Sequence, residues 1–228
     1  GADEDQTAVV HPGVDLDQFS PGDKRAARSR HGLASDAIVL LFVGRIQPLK
    51  APDVVIRSTA ALVATDPTLR NRLTTVICGG PSGAGPERLD ELRKLAAELG
   101  VADIVRFVPP TSREGLADWY RAADLVCVPS HSESFGLVAI EAQACGTPVV
   151  AAAVGGLHTA VSDGHSGLLV RDHQTESWRN TLHHTLTQPR LLTALANNAR
   201  GHAENFSWSA TAAATLDVMR REKIDVLV

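Results

Sequence analysis

A glutamate at position 141 stands in surroundings that make a carboxylate unusual. Glu141 lies in Gly-Leu-Val-Ala-Ile-Glu-Ala-Gln-Ala-Cys (residues 136–145), a helical stretch otherwise without charge. A helix that is apolar on nearly every face is buried, and a lone carboxylate inside it is costly unless something pairs with it. The partner could be a structural group such as a buried arginine, or a ligand diol whose hydroxyls donate to the carboxylate.

A second glutamate, Glu133, lies eight residues earlier, just before this helix. Between the two, the amides of Phe135, Gly136 and Leu137 are predicted to be free donors at a helix N-terminus. Hydrogen bonding and the helix dipole both favour a phosphate at such a position. Two alternatives need no ligand: Glu133 as a solvated loop residue and Ser134 as an N-cap.

Two cations, Arg45 and Lys50, lie five residues apart in the loop that follows Gly44. Arginine offers a bidentate fork and lysine a compact point charge, so together they can clamp a diphosphate. Both could equally be surface cations without a partner. Their position relative to the two glutamates depends on the elements that carry them.

Those elements predict an α/β fold, a doubly wound parallel sheet with a helical C-terminal tail. Short apolar, β-branched runs alternate with helical periodicity, which is typical of strands buried on both faces. Strands are predicted at 38–43, 74–78, 104–108, 125–128, 148–151 and 167–170, and helices at 25–30, 52–64, 86–99, 113–122, 136–145, 156–162, 176–187, 190–201 and 207–222. Ligands of such sheets bind beyond the carboxyl ends of the strands, where both loops fall.

Composition excludes several classes of protein. The chain has 228 residues, of which 44% are hydrophobic, so it is not disordered, and no apolar run approaches the ~18 residues of a membrane span. A formal net charge of −4 provides no basic field for nucleic acid. Cys78, Cys127 and Cys145 stand far apart in apolar surroundings, which is typical of buried thiols in a reducing cytoplasm.

Competing motifs fail on spacing. The glycine-rich turn at 79–85 follows the second strand, is not G-x-G-x-x-G and contains Pro81, so no dinucleotide cofactor is predicted. The histidines are scattered, and His183 and His184 are adjacent on a helix and point in different directions, so we expect no metal site. No G-x-S-x-G is present, which excludes a hydrolase elbow.

Gly44-Arg45 with Lys50, and Glu133 with Glu141 inside Ser-Glu-Ser-Phe-Gly-Leu-Val-Ala-Ile-Glu-Ala, form a pattern that resembles the GT-B retaining glycosyltransferases of family 4. The similarity runs from about residue 9 to about residue 221. It implies the Rossmann-like C-terminal half of a GT-B fold. On this basis residues 1–37 are a leading segment and linker from an absent N-terminal domain, 38–206 bind the nucleotide-sugar donor, and 207–228 form a helix that packs on the absent domain.

The resemblance also implies roles for individual residues. Arg45 and Lys50 would hold the donor diphosphate and stabilise the leaving charge, and Glu133 would contact donor sugar hydroxyls; these are the candidate catalytic residues. Glu141 would bind the ribose diol, and the backbone near Thr111 would read the uracil edge, although Thr111-Ser112-Arg113 departs from the family pattern. The implied donor contacts are Gly44, Thr111, Ser134, Phe135, Gly136, Leu137 and Glu141.

Substrates follow from the same resemblance. Val-Val-His-Pro-Gly-Val-Asp at 9–15 is most similar to family members of mycothiol biosynthesis, which implies UDP-N-acetylglucosamine as donor and 1D-myo-inositol 3-phosphate as acceptor. The family reaction needs no metal or other cofactor. Alternatives are a GDP-mannose-dependent mannosyltransferase of the same fold and a non-catalytic nucleotide-binding module. Because the family places acceptor contacts on the N-terminal domain, we expect this chain to bind UDP without turnover. The apolar face of its last helix could also pack on a second copy of the chain, so a homodimer is a further alternative.

Overall fold

The computed structural model describes residues 8–80 and 87–225, and its centre is one six-stranded parallel sheet. The strands are β1 (Ile38–Val43), β2 (Leu73–Cys78), β3 (Val105–Val108), β4 (Leu125–Val128), β5 (Val149–Ala152) and β6 (Gly167–Val170). Their order is β3-β2-β1-β4-β5-β6. The first strands are added on one side of β1 and the later ones on the other, so the order switches between β1 and β4. A crevice opens at such a switch point, beyond the carboxyl ends of the strands.

The strand register brings the two central loops to the same level. β1 pairs with β2 along its whole length, from Ile38 opposite Leu73 to Val43 opposite Cys78. It pairs with β4 only through Leu40 and Leu41, opposite Leu125 and Val126. Both β1 and β4 continue for two residues beyond this last pairing, so their following loops leave the sheet side by side.

Helices cover both faces of the sheet, which confirms the predicted doubly wound α/β fold. They are α1 (Lys24–Arg30), α2 (Pro52–Thr65), α3 (Glu87–Glu98), α4 (Arg113–Ala122), α5 (Leu137–Ala144), α6 (Leu157–Ala160), α7 (Thr175–Thr187), α8 (Pro189–Ala203) and α9 (Trp208–Asp225). Alternate residues of β1 enter different cores. Val39 and Leu41 face α4, α5 and α6, and Leu40 and Phe42 face α2, α3 and α7.

The predicted elements are present, and their ends differ from the predicted ones by at most three residues. β5 begins at Val149 rather than Pro148, because Pro148 accepts a hydrogen bond from the amide of Val126 but has no N–H of its own to donate. α8 runs past Gly201 to Ala203. The predicted glycine-rich turn lies outside the described residues after Gly80.

The leading segment packs onto this domain. Phe19 is buried, and the amide of Val14 donates to the Phe206 carbonyl at 2.8 Å. Arg28 is buried in α1, where its guanidinium donates to Asp124 at 2.7 Å and to the carbonyl of Ala122 at 3.0 Å. Paired and hydrogen-bonded in this way, a buried cation is tolerated.

The last helix is peripheral. Trp208, Leu216 and Met219 of α9 are each more than half exposed. Its packing on a further domain stays a prediction. In the part of the chain that the structure describes, no helix has both the length and the apolar character that crossing a membrane demands.

Candidate functional site

The loops after β1 and β4 are joined at the switch point. The amide of His131 donates to the carbonyl of Leu49 at 2.9 Å, which fixes one loop against the other. Lys50 ends a short 3₁₀ turn, Pro48–Lys50, at the mouth of α2. The loop that contains Arg45 and the loop that contains Glu133 therefore form one continuous surface.

An ion pair spans these two loops. Lys50 Nζ lies 2.5 Å from Glu133 Oε2, and each side chain retains only about a fifth of its exposure, 20% for Lys50 and 16% for Glu133. The hydroxyl of Ser130 lies 3.3 Å from the same carboxylate oxygen. The alternative that Glu133 is a solvated loop residue is therefore wrong. The pairing itself was not predicted, because the two residues are far apart in the chain.

The N-terminus of α5 lies between the two glutamates and begins at a glycine. Gly136 is the N-cap residue with φ of 103°, a left-handed conformation that favours glycine, and no side chain of the described residues caps the helix. The alternative that Ser134 is the N-cap is therefore wrong, because the N-cap position belongs to Gly136. The reason is long-range: Phe135 is buried against His11 and Phe206, which turns the chain at Gly136.

The amides at this helix start are available to a ligand. Within the described residues, the N–H groups of Phe135, Gly136 and Leu137 donate no hydrogen bond. Leu137 is exposed, with 44% of its surface open, whereas Phe135 and Gly136 are buried, so the helix start reaches solvent at Leu137. Unsatisfied donors at the positive end of a helix are suited to an anion.

Glu141 has a structural partner, although it is a tyrosine rather than an arginine. Tyr120 of α4 donates its hydroxyl to Glu141 Oε2 at 2.8 Å. Burial raises the pKa of the Glu141 carboxyl, and the Tyr120 hydrogen bond and the positive charge of Arg113 partly offset this. Oε1, the other carboxylate oxygen, accepts no hydrogen bond from the part of the chain that is described.

Arg45 lines a pocket beside the switch point. Its guanidinium is exposed and has no ion pair or hydrogen bond with any described residue. The pocket has a volume of ≈ 440 Å³ and is lined by Val43, Gly44, Arg45, Cys78, Gly79, Gly80, Pro110, Thr111 and Leu116. A Cβ on Gly79 would lie 1.8 Å from the carbonyl oxygen of Gly44, so the backbones of the two loops approach as only glycine permits.

The predicted site residues thus fall into three neighbouring groups. Gly44, Arg45 and Thr111 line the pocket, Lys50 pairs with Glu133, and the residues from Ser134 to Leu137 form the start of α5. Glu141 lies deeper, beside Tyr120, which follows the pocket residue Leu116 by one turn of α4. Their roles stay predictions.

Sequence reasoning missed the polar partners of these residues. Ser130, which is buried, contacts Glu133, and its carbonyl oxygen lies 3.3 Å from Nε2 of His173. The ring of His173 lies 4.1 Å from that of His131. No group of three or more His, Cys, Asp or Glu that could hold a metal ion occurs within residues 8–80 and 87–225. The Ser130–Glu133 contact lies within one loop, whereas the two contacts of His173 join distant parts of the chain and have no local sequence signal.

The chain is similar to known glycosyltransferases. It matches the family model for Glycosyl transferases group 1 over residues 23–202. It is 58% identical to D-inositol 3-phosphate glycosyltransferase 2 of Catenulispora acidiphila over 226 residues, which is 99% of this chain and 53% of the relative. The chain thus spans about half the length of the curated relatives that it matches.

Solved structures share the fold. Sucrose-phosphate synthase from Thermosynechococcus elongatus is 33% identical with a TM-score of 0.82, over 96% of this chain and 53% of that one. HepE from Anabaena, solved with UDP and glucose, is 24% identical with a TM-score of 0.85, over 97% of this chain and 59% of that one. The resemblance predicted from the motifs is confirmed. Because the family model spans well over half of the sequence, the chain belongs to the group 1 glycosyl transferases.

Proposed function

We propose that this chain is the donor-binding part of a retaining glycosyltransferase that moves N-acetylglucosamine from UDP-N-acetylglucosamine to 1D-myo-inositol 3-phosphate. The observation that carries the proposal is the set of groups at the switch point: Arg45 and the α5 amides, which have no partner among the described residues, and the Lys50–Glu133 pair. The name of the 58% identical relative supports the acceptor. A site that only binds a nucleotide needs a cation such as Arg45 but has no need of the Lys50–Glu133 pair.

The diphosphate is the part of the donor that these groups fit best. Arg45 is a cation without a counter-charge among the described residues, and the amides from Phe135 to Leu137 are donors without acceptors. An anion between the β1 and β4 loops would satisfy both. The diphosphate becomes more negative as the bond to the sugar breaks, so Arg45, Lys50 and the amides would stabilise the transition state more than the ground state, without a metal ion.

The sugar would lie beside the ion pair. Glu133 uses Oε2 for Lys50 and Ser130, which leaves Oε1 to accept from a hydroxyl of the donor sugar. In this proposal the acceptor hydroxyl gives its proton to a donor phosphate oxygen, so the incoming oxygen attacks from the face that the diphosphate leaves. Retention follows from attack on that face.

The nucleoside would extend along α4. Glu141 would accept from the ribose hydroxyls through Oε1, and the backbone at Thr111 would contact the uracil edge in the pocket beside Gly79. Acceptor contacts are proposed to come from the N-terminal domain of the whole enzyme, with α9 packing on it. The three buried thiols are consistent with the proposed cytoplasmic location.

Calorimetric titration with UDP, GDP and uridine tests the donor-binding role. With EDTA present throughout, we expect UDP to bind, uridine to bind more weakly because it lacks the diphosphate, and GDP to bind least. A preference for GDP would replace the UDP-sugar assignment with that of a mannosyltransferase. No heat with either nucleotide would contradict the donor-binding role of this chain.

The donor sugar is tested separately by competition. UDP-N-acetylglucosamine and UDP-glucose are titrated against the wild-type chain and against Glu133→Gln. We expect N-acetylglucosamine to be preferred and the advantage of either nucleotide sugar over UDP to shrink in the variant, because Glu133 would lose its charge toward the sugar hydroxyl. A variant that keeps the full advantage of the sugar would place Glu133 outside the sugar site.

A further inference from the structure

Glu141 meets one hydrogen-bonding side chain in the described chain, and that side chain is itself completely buried. Tyr120 has no exposed surface, and its hydroxyl donates to Glu141 Oε2 at 2.8 Å. We infer that Tyr120 is a positioning residue of the donor site, which holds Glu141 so that a single carboxylate oxygen faces the ribose hydroxyls. The inference rests on the proposed function, in which Glu141 binds the ribose.

The tyrosine is buried and is held both at its ring and at its backbone. Its ring meets the ring of Phe19 edge to face, with 5.9 Å between centroids. Its backbone carbonyl accepts from the Thr147 hydroxyl at 2.7 Å. A donor held this firmly loses little entropy when it orients a second group.

α4 connects this contact to the pocket. Thr111 and Leu116, which line the pocket, lie at or near the start of α4, and Tyr120 follows Leu116 on the same face. The helix that borders the proposed uracil site therefore also sets the orientation of the proposed ribose ligand. Base and ribose contacts would then be held at a fixed spacing by one rigid element.

The hydroxyl also favours the ionised form of Glu141. Burial raises the pKa of this carboxyl, and the hydrogen bond from Tyr120 is the largest influence in the opposite direction, followed by the charge of Arg113. An ionised carboxylate can accept from both ribose hydroxyls, whereas the protonated acid carries a competing donor. Loss of the hydroxyl should therefore raise the pKa of Glu141 and weaken diol binding at mildly acidic pH.

Few charged groups act on this carboxylate directly. In the chain as described, they are Arg113 of α4, with Tyr120 and the Cys145 thiol as titratable neighbours. Burial raises the pKa of Cys145 to about 12, so its thiol is neutral when Glu141 titrates. Further groups influence the pKa of Tyr120 or of Cys145 rather than that of Glu141; they are Cys78, Asp118, Arg121 and Arg200.

Two opposite changes to the hydroxyl test the inference, since Tyr120 is the single tyrosine of the chain. Tyr120→Phe removes the donor, and biosynthetic 3-fluorotyrosine strengthens it without changing the fold. UDP affinity is measured calorimetrically from neutral to mildly acidic pH for each. With the same ligand in every titration, its own ionisation cancels from the comparison.

We expect Tyr120→Phe to bind UDP about 3- to 10-fold more weakly at neutral pH, the loss of one hydrogen bond. The acidic fall in affinity should move to higher pH in Tyr120→Phe and to lower pH with 3-fluorotyrosine. With 2′,3′-dideoxy-UDP, the affinity of the wild-type chain and of Tyr120→Phe should agree. Phe19→Leu alters packing against the ring but keeps the hydroxyl, so it should not change the pH at which UDP affinity falls.

The outcomes separate this inference from the function on which it rests. If the chain binds UDP and neither change to Tyr120 moves the pH at which UDP affinity falls, the positioning role alone is overturned. Equal losses of UDP and dideoxy-UDP would do the same. A wild-type chain that binds no UDP would overturn both. Should Tyr120→Phe not fold, as thermal unfolding reports, the fluorotyrosine comparison decides, and its ¹⁹F signal follows Glu141 ionisation even without ligand.

Discussion

Arg45 and Lys50 carry the same charge in different electrostatic surroundings. Lys50 is largely buried and neutralised by Glu133, whereas Arg45 is exposed and unpaired among the described residues. A diphosphate would therefore gain most from Arg45, because Lys50 must be shared with a carboxylate that it already contacts. The two cations should differ in what their removal does to binding.

Arg45→Ala should weaken UDP binding by about 1.5–3 kcal/mol, the range for hydrogen bonds to charged groups, and leave uridine binding almost unchanged. The reason is that the guanidinium would touch only phosphate. Calorimetric titration of both ligands measures the difference. Arg25→Ala, at an exposed arginine of α1 with no described side-chain partner, is the matched control and should alter neither. Equal losses for both ligands would place Arg45 outside the diphosphate site.

Glu141 should reduce the stability of the fold at neutral pH. Its pKa is raised by burial, so the folded state holds this proton at pH values where the unfolded chain releases it. The penalty is absent below the ordinary glutamate pKa of about 4.3, where both states are protonated, and it grows as pH rises through the raised value. Glu141→Gln keeps an acceptor for Tyr120 and should therefore raise the thermal midpoint at neutral pH.

Thermal unfolding of Glu141→Gln from acidic to neutral pH checks this sign. The gain should vanish toward acidic pH, where wild type and variant become electrostatically alike. Glu114→Gln, at an exposed position of α4, serves as the comparison and should show no comparable pH-dependent gain. A variant that is less stable than wild type at neutral pH would mean that the carboxylate stabilises the fold, contrary to the burial argument.

The loop between β5 and α6 holds the Glu133 loop in place. The amide of Gly156 donates to the Glu133 carbonyl at 2.9 Å, and a Cβ on Gly155 would lie 2.2 Å from the same oxygen. Gly155 also has φ of 47°, a left-handed conformation. Two requirements therefore fall on one residue: backbone freedom and the absence of a side chain.

Comparison with another glycine separates these requirements. Gly164 also has a positive φ, 73°, but a Cβ there would meet no atom of the described residues within 4 Å. Gly164→Ala should lower the free energy of unfolding by about 1 kcal/mol, because only the backbone conformation is disfavoured. Gly155→Ala should lower it by about 1–3 kcal/mol more, because the Glu133 loop must also shift. Urea denaturation measures both. Matching losses for the two variants would show that the close approach is unimportant.

Local sequence signals predict the elements well and their partners poorly. Both ends of β1 agree with the prediction, because a run of six apolar residues stops just before Gly44. The start of α5 was predicted one residue early, because the chain there is turned by Phe135 packing on distant His11. Such packing leaves no local trace.

The site contacts show the same limit. Residue type and position on the sheet edge identify Arg45, Lys50, Glu133 and Glu141 as candidates. The Lys50–Glu133 pair joins loops after β1 and β4, and the Tyr120–Glu141 bond joins α4 and α5. Both depend on how two elements pack, so sequence periodicity predicts the faces but not which side chains meet.

At the scale of the whole molecule, the proposed donor site is open to water. Arg45, Ser134 and Leu137 are exposed, and all proposed donor contacts lie along one edge of one sheet. Sugar transfer needs an acceptor hydroxyl held against the sugar carbon that it attacks, and it needs water kept out. The relatives are about twice as long as this chain, so the proposal assigns those tasks to their remaining half.

We therefore expect the 228-residue chain to bind UDP-N-acetylglucosamine but to transfer no sugar to 1D-myo-inositol 3-phosphate. Orientation of two reactants contributes up to about 7–11 kcal/mol to such reactions, and a bound donor without a positioned acceptor loses that advantage. Product formation is followed by mass spectrometry at chain concentrations that saturate with donor. The full-length Catenulispora acidiphila relative, assayed in parallel, tests whether the assay detects transfer to this acceptor. Transfer by the chain alone would show that the described sheet edge also positions the acceptor, and would contradict the division of labour proposed here.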